Sequence, residues 1–350
     1  MATSTRQVVV DASDTEKIRY VGAGWVNGFG GDDHEGISVY NHSMRGTSID
    51  GSLSFTFRGT DVNVIGAPLI SIGVGKLSWK CFVDNILIGE YAGLAPGNLF
   101  ICTKYNLSDT EHIITLNVTT TSQQFWLDSI RYTPSPSLLL EDVTVFVDNG
   151  DLGIHLDPYW VSWDVTQLTQ THNSTMTFSF IGTSVAWIGV IPENYPRNST
   201  SGIFSIDGGE PRTFPLIGLD PEPAMVQRKI NQLFFTASGL STSTHTLSVT
   251  YQGDDHHTPL ALDFLYITTS TPSNTTNDSF PPPPPLSGLA THHITVITIA
   301  GFVAGGLAVI LMVLGLSFRW YKRRKLRSRV VTGEIDPTRL GMQPLRRHIS

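Results

Sequence analysis

Two short runs cluster carboxylates and histidines: Asp32-Asp33-His34-Glu35 within NGFGGDDHEG, and Asp254-Asp255-His256-His257. Carboxylates packed this closely are the oxygen ligands Ca²⁺ takes. Neither run has the spacing of a calcium loop, so each is expected to be a solvated loop and no metal is assigned. His112 and His245 each follow a polar turn and open an alternating segment (HIITLNV, HTLSVTY). A histidine in this setting is expected to hold a turn by hydrogen bonding rather than to bind a ligand. Asp128 in FWLDSIRY and Asp263 in LALDFLYI are likewise expected to brace a neighbouring loop.

Sugar recognition needs an aromatic face for the C–H side of a ring and polar side chains for its hydroxyls. The candidates are Trp25 with Asp32 and His34, and Tyr159, Trp160 and Trp163 with Asp164. Trp79, Trp126 and Trp187 lie in strand-like segments and are assigned to packing. The chain has no GxSxG, HExxH, phosphate-binding or dinucleotide fingerprint. The expectation is therefore a binding protein, not an enzyme, with no cofactor.

The elements that position these residues occur twice. QVVVDASDTEKIRYVGAGW is matched by DVTVFVDNGDLGIHLDPYW, and SLSFTFRGTDVNVIG by TMTFSFIGTSVAWIGV. The alternation places Phe55 and Phe57, and Phe178 and Phe180, on one buried face of each strand. Gly-Thr is expected to allow a tight reversal into the next strand. Asp84-Asn85 and Asp207-Gly208 are hairpin dipeptides. Each copy closes on a strand that aligns Asp128 with Asp263 and Tyr132 with Tyr266. The spacing predicts an all-β chain with two tandem sandwich domains, 6–133 and 142–268, meeting near Pro134-Ser-Pro136.

The order D…Y…W, FxFxGTxVxxxG, VD-N/G, HxLxV and LDxIxY resembles the galactose-binding-like jelly-roll sandwich. With its tandem copies, stalk and span, the chain is more closely similar to a group of fungal single-pass membrane proteins, from Gln7 to about Arg329. That resemblance implies a jelly-roll fold and a glycan or cell-wall polymer as partner. The alternative is an adhesion role, in which the sandwiches bind another protein.

Residues 269–293 form a Ser/Thr/Pro-rich stalk that includes five consecutive prolines, which favour an extended rod. Residues 294–318 contain no charge and are long enough for one transmembrane helix. The basic tail, 319–350, is expected to be disordered. It carries a net +8 of the chain's −7, leaving −15 on the remainder and arguing against nucleic acid as a partner there. Lys and Arg crowd only the C-terminal side of the span, so the tail is expected in the cytoplasm and the domains outside or luminal, at the plasma membrane. The sequons at Asn41, Asn106, Asn117, Asn173, Asn198, Asn274 and Asn277 all precede the span, as exterior glycosylation requires. Met1–Tyr20 has no apolar signal core. Either the span inserts the chain N-terminus outward, or the true start lies upstream, or insertion is post-translational and reversed. Gly301 and Gly305 form a GxxxG suited to homodimerisation. Cys81 and Cys102 are expected either to form one disulfide or to be buried as thiols.

Overall fold

Leu53, Phe55 and Phe57 alternate with Ser54, Thr56 and Arg58, and the chain answers with a strand that buries the three apolar side chains. Segments of this kind build everything visible in the computed structural model, which describes residues 6–29, 39–69, 75–92, 98–219 and 228–269. These all belong to one unit, Met1–Thr276.

The first ten strands are β1 (Gln7–Asp11), β2 (Arg19–Val21), β3 (Val26–Phe29), β4 (Ser43–Thr47), β5 (Gly51–Leu69), β6 (Lys76–Val83), β7 (Ile86–Ala92), β8 (Leu99–Lys104), β9 (Thr110–Thr121) and β10 (Gln124–Pro134). Twelve more follow: β11 (Thr144–Asp148), β12 (Ile154–Leu156), β13 (Val161–Trp163), β14 (Thr166–Thr169), β15 (Thr175–Ile181), β16 (Ser184–Ile191), β17 (Thr200–Ile206), β18 (Arg212–Leu216), β19 (Lys229–Ser238), β20 (Thr244–Tyr251), β21 (Leu260–Leu262) and β22 (Phe264–Thr268). The described residues contain no α-helix, only a 3-10 turn at Tyr40–His42. None of their helices is long and apolar enough to cross a membrane. The expected stalk, span, GxxxG and tail lie outside the described residues.

In the first copy, β2, the first half of β5, β9, β6 and β7 form one sheet. The second half of β5 pairs with β8 and β10, and β10 with β1 and β4, forming the facing sheet. Leu53, Phe55, Val64, Ile114 and Ile130 fill the space between them. The second copy repeats this plan, with β12–β15–β20–β17–β18 opposite β19–β16–β22–β11 and a short β13–β14–β21 sheet. Its core holds Phe178, Trp187, Leu247 and Leu265. The described residues are thus all-β apart from one 3-10 turn, and are built as β-sandwich layers.

Three sequence expectations change. No reversal occurs at Gly-Thr: β5 runs straight through Gly59-Thr60, and β15 continues into β16 across Gly182-Thr183. The chain passes there from one sheet to the other, and the glycine is needed for close approach. A Cβ at Gly59 would collide with the Thr133 carbonyl, and one at Gly182 would sit 2.7 Å from the Thr268 carbonyl. In the closing strands Asp128 still corresponds to Asp263, but the tyrosines do not match. Val8 pairs with Tyr132 and Val145 with Ile267, so Tyr132 corresponds to Ile267, and Arg131 to Tyr266.

The third change concerns the joint. β1 pairs antiparallel with β11, setting Val8 opposite Val145 and Gln7 opposite Phe146. The facing sheets of the two copies therefore merge into one continuous sheet, β8–β5–β10–β1–β11–β22–β16–β19. One face covers both cores. The other carries Arg131, Phe146, Phe264 and Tyr266.

Cys81 and Cys102 are joined by a disulfide, with Cα atoms 6.1 Å apart. It ties β6 in one sheet to β8 in the other. The equivalent positions in the second copy are Phe204 and Phe235, whose rings stack with centroids 4.1 Å apart.

Candidate functional site: a cleft along the joined sheet

Alternation along β10 sends Ile130 and Tyr132 into the first core and Arg131 to the opposite face. There Arg131 is only 4% exposed, and its Nε and Nη2 have no hydrogen-bond partner among the described residues. Its guanidinium lies 4.2 Å from the centre of the Phe146 ring and 6.0 Å from that of Phe264. Stacking compensates part of the lost hydration. Buried N–H donors left unpaired still cost roughly 1–3 kcal/mol each.

Asp263 lies where β21 ends and β22 begins. Its backbone is pinned: its N–H donates to the Ile188 carbonyl at 3.0 Å, and its carbonyl accepts from Asn149 Nδ2 at 2.7 Å. Its carboxylate has no hydrogen-bond partner among the described residues. Burial pushes that carboxyl up to about 6, Asp148 adds to the rise, and Arg131 and Arg228 oppose it.

The matched carboxylate in the first copy is fully engaged. Asp128 Oδ1 accepts from the Tyr40 N–H at 2.8 Å, and Oδ2 from Asn98 Nδ2 at 2.9 Å and Ser129 Oγ at 3.2 Å. Burial raises Asp128 to about 6 as well, against the pull of those donors. The loop-bracing role expected for both aspartates is thus filled by Asp128 and not by the Asp263 side chain.

Arg131 and Asp263 share a cleft of about 210 Å³ with Phe146, Phe264, Trp163 and Arg228. Phe100, on the first copy, and Val165, on the second, stand at its rim and are 56% and 73% exposed. Trp163 is half-buried, packed edge-on to Tyr195 at 6.1 Å, with the Arg228 guanidinium 6.0 Å from its ring. Asp164 holds Arg228 through a direct ion pair. The cleft thus offers an aromatic wall, unpaired donors and an unpaired acceptor.

Of the residues the sequence singled out, Trp163 lines this cleft and Asp164 supports it. Tyr159 is exposed and does not line it. Trp25 and Trp160 are each 8% exposed and belong to the two cores, with their indole N–H groups donating to the Val21 and Thr175 carbonyls. They are packing residues and offer no platform. Asp32 and His34 lie outside the described residues. No cluster of metal-ligating side chains occurs among the described residues. Arg131 and Arg228 were missed; an arginine between inward-facing Ile130 and Tyr132 was the available signal.

A larger apolar groove, about 450 Å³, lies under Leu138–Leu140 and is lined by Val145, Phe178 and Ile267. Its arginine, Arg6, is held by Asp151 at 2.9 and 3.0 Å.

No family model matches the chain. No curated protein matches it either. Among solved structures, it is similar to a xanthan lyase from Paenibacillus at 14% identity, over 75% of this chain and 26% of the lyase, with a TM-score of 0.26. The N-terminal CBM22-1-CBM22-2 tandem domain of Xyn10C from Paenibacillus barcinonensis matches at 9% identity, over 77% of this chain and 100% of that one, with a TM-score of 0.27. The ANXUR2 extracellular domain from Arabidopsis thaliana matches at 9% identity, over 74% and 91%, with a TM-score of 0.24. The chain spans about a quarter of the lyase's length.

Proposed function

We propose that this chain is a single-pass membrane glycoprotein whose ectodomain binds glycan without catalysis. The observation that carries the reading is the cleft, where the half-buried indole of Trp163 stands beside two nitrogens of Arg131 that have no partner among the described residues and beside the Asp263 carboxyl. Ligand sites are typically apolar pockets with a few polar groups that fix orientation. An aromatic wall beside a donor and an acceptor suits a sugar ring, which is apolar on its C–H face and polar at its edge. The uncharged stretch 294–318, the basic residues after it and the sequons before it support an exterior location for the sandwiches.

The test is retention of the full chain, in detergent micelles, on glucan, chitin and mannan. Retention by at least one of them, lost in Trp163→Ala, is expected. Failure on every polysaccharide would remove the glycan reading. A second reading, adhesion to another protein, draws on Ile86 and Ile113, which are 70% and 47% exposed beside the β6–β7 turn. Capture of a protein ligand that is lost in Ile86→Asp and kept in Trp163→Ala would favour it.

A further inference from the structure

We infer that the cleft reads a neutral sugar through two adjacent hydroxyls, one accepting from the Arg131 guanidinium and the other donating to the Asp263 carboxylate, with the ring laid against Trp163. This rests on the glycan-binding reading above and adds the ligand's chemistry.

Arg131 carries five N–H donors and no acceptor, and an ionised aspartate carries acceptors only. Both line the cleft, yet no ion pair joins them, and at 4% exposure Arg131 keeps Nε and Nη2 without a partner among the described residues. A purely apolar ligand would leave both groups stranded. An anionic ligand would satisfy Arg131 but would meet Asp263, with Asp148 and Asp164 close enough to act on it. Arg228 does not offset this, because it is already paired with Asp164. A hydroxyl both donates and accepts, so two neighbouring hydroxyls satisfy both groups and bring no charge.

The internal repeat supplies the comparison. At the matched position in the first copy, Asp128 is met by one backbone N–H, one amide and one hydroxyl. That is the set of donors a buried carboxylate in this strand takes. The second copy gives Asp263 none of them. The cleft of about 210 Å³ lies below the 300–1,000 Å³ usual for drug-sized ligands and suits one terminal ring.

The full chain in detergent micelles would be titrated with methyl glucoside, mannoside and galactoside, and with methyl glucuronide and galacturonide, followed by ligand-observed NMR. At least one neutral glycoside is expected to bind, at least tenfold more tightly than either uronide. Asp263→Asn, which preserves shape, and Arg131→Gln are each expected to weaken it at least tenfold. Both variants would be checked for an intact fold by thermal unfolding. Uronide binding as tight as the neutral glycosides would overturn the inference and leave the glycan reading standing. So would sugar binding that ignores the folded Asp263→Asn variant but is lost in Trp163→Ala. Binding of no glycoside and retention on no polysaccharide would remove both readings.

Discussion

His245 Nδ1 lies 2.7 Å from Asp207 Oδ2, and His112 Nδ1 stands 2.6 Å from Asp84 Oδ2 in the first copy. Each aspartate opens a hairpin turn in which both central residues have positive φ: Asp84 and Asn85, and Asp207 and Gly208. The far ring nitrogen of each histidine reaches the next loop, at the Ser108 carbonyl (2.7 Å) and the Ser241 carbonyl (3.0 Å). A protonated histidine donates on both sides, so one side chain staples a hairpin to a neighbouring turn.

These staples give stability a pH signature. The aspartate partner is among the causes that raise each histidine above its ordinary 6.5; in turn, hydrogen bonding lowers each aspartate below 3.8. The histidine contribution is complete below about 6.5 and is lost as pH rises through the raised value. The aspartate contribution is present above about 3.8 and is lost as pH falls through the lowered value. Thermal unfolding from pH 4 to 9 is expected to show stability falling between about pH 4 and 6 as the buried Asp128 and Asp263 carboxyls ionise, and a further decline above neutrality from the histidines. That decline should flatten in a His112→Gln, His245→Gln double variant; an unchanged slope would refute the staple.

Asp263 is expected to set stability against binding. Its carboxyl is raised to about 6, so between about 4 and 6 the folded state holds a proton that the unfolded chain has released, and stability falls as pH rises. Asp148, Asp164, Arg131 and Arg228 are the charged groups acting on it. Asp263→Asn should stabilise the protein at pH 7, by ~1–2 kcal/mol, because it removes a charge that no described residue pairs. Asp128→Asn should destabilise it, because an amide cannot accept from all three donors now in place. Ligand binding should strengthen through pH 6 as the acceptor ionises, a trend titration calorimetry at pH 5 and 7 would check.

The Cys81–Cys102 bridge closes a loop with a sequence separation of 21, for which chain entropy gives about 3 kcal/mol. Reduction, or a Cys81→Ala, Cys102→Ala double change, should lower denaturant stability by roughly that amount. The second sandwich packs Phe204 on Phe235 at the same place and has no bridge to lose. Proteolysis after reduction should therefore cut first within residues 6–133. Equal cutting in both copies would contradict this.

Asn41, Asn106, Asn117, Asn173 and Asn198 are all exposed. Asn41, Asn106 and Asn173 also have positive φ, which places them in tight bends. If the sandwiches face the exterior, enzymatic deglycosylation in heavy-oxygen water should convert occupied sites among these five to labelled aspartate. No label at any of them, in protein from a glycosylating host, would count against that orientation.

Much of the architecture could be read from the chain because both copies spell it out. Phe55 and Phe57 against Phe178 and Phe180 gave the alternation, and Asp84-Asn85 against Asp207-Gly208 gave the hairpins. The cleft was only half legible. Trp163 stood out by type, and Asp263 by its repeat position. Arg131 did not, because its burial arises from β1–β11 pairing, a contact between residues far apart in sequence. The shared tyrosine type matches Tyr132 to Tyr266 in sequence, whereas the ladders put Arg131 and Tyr266 in equivalent places. What separates Asp128 from Asp263 is the company each keeps, and local sequence does not record it.

The merged sheet also defines how load would travel. The chain leaves the described fold through β22, whose first residue, Phe264, follows Asp263 in the cleft floor. β22 is clamped along its length between β11 and β16, so tension applied beyond Thr268 loads two ladders of hydrogen bonds in shear rather than peeling them one at a time. A ligand held on Asp263 and Arg131 would bridge the residue that leads into β22 and strand β10, on opposite sides of the β1–β11 junction. It would act as a crosslink between the two copies.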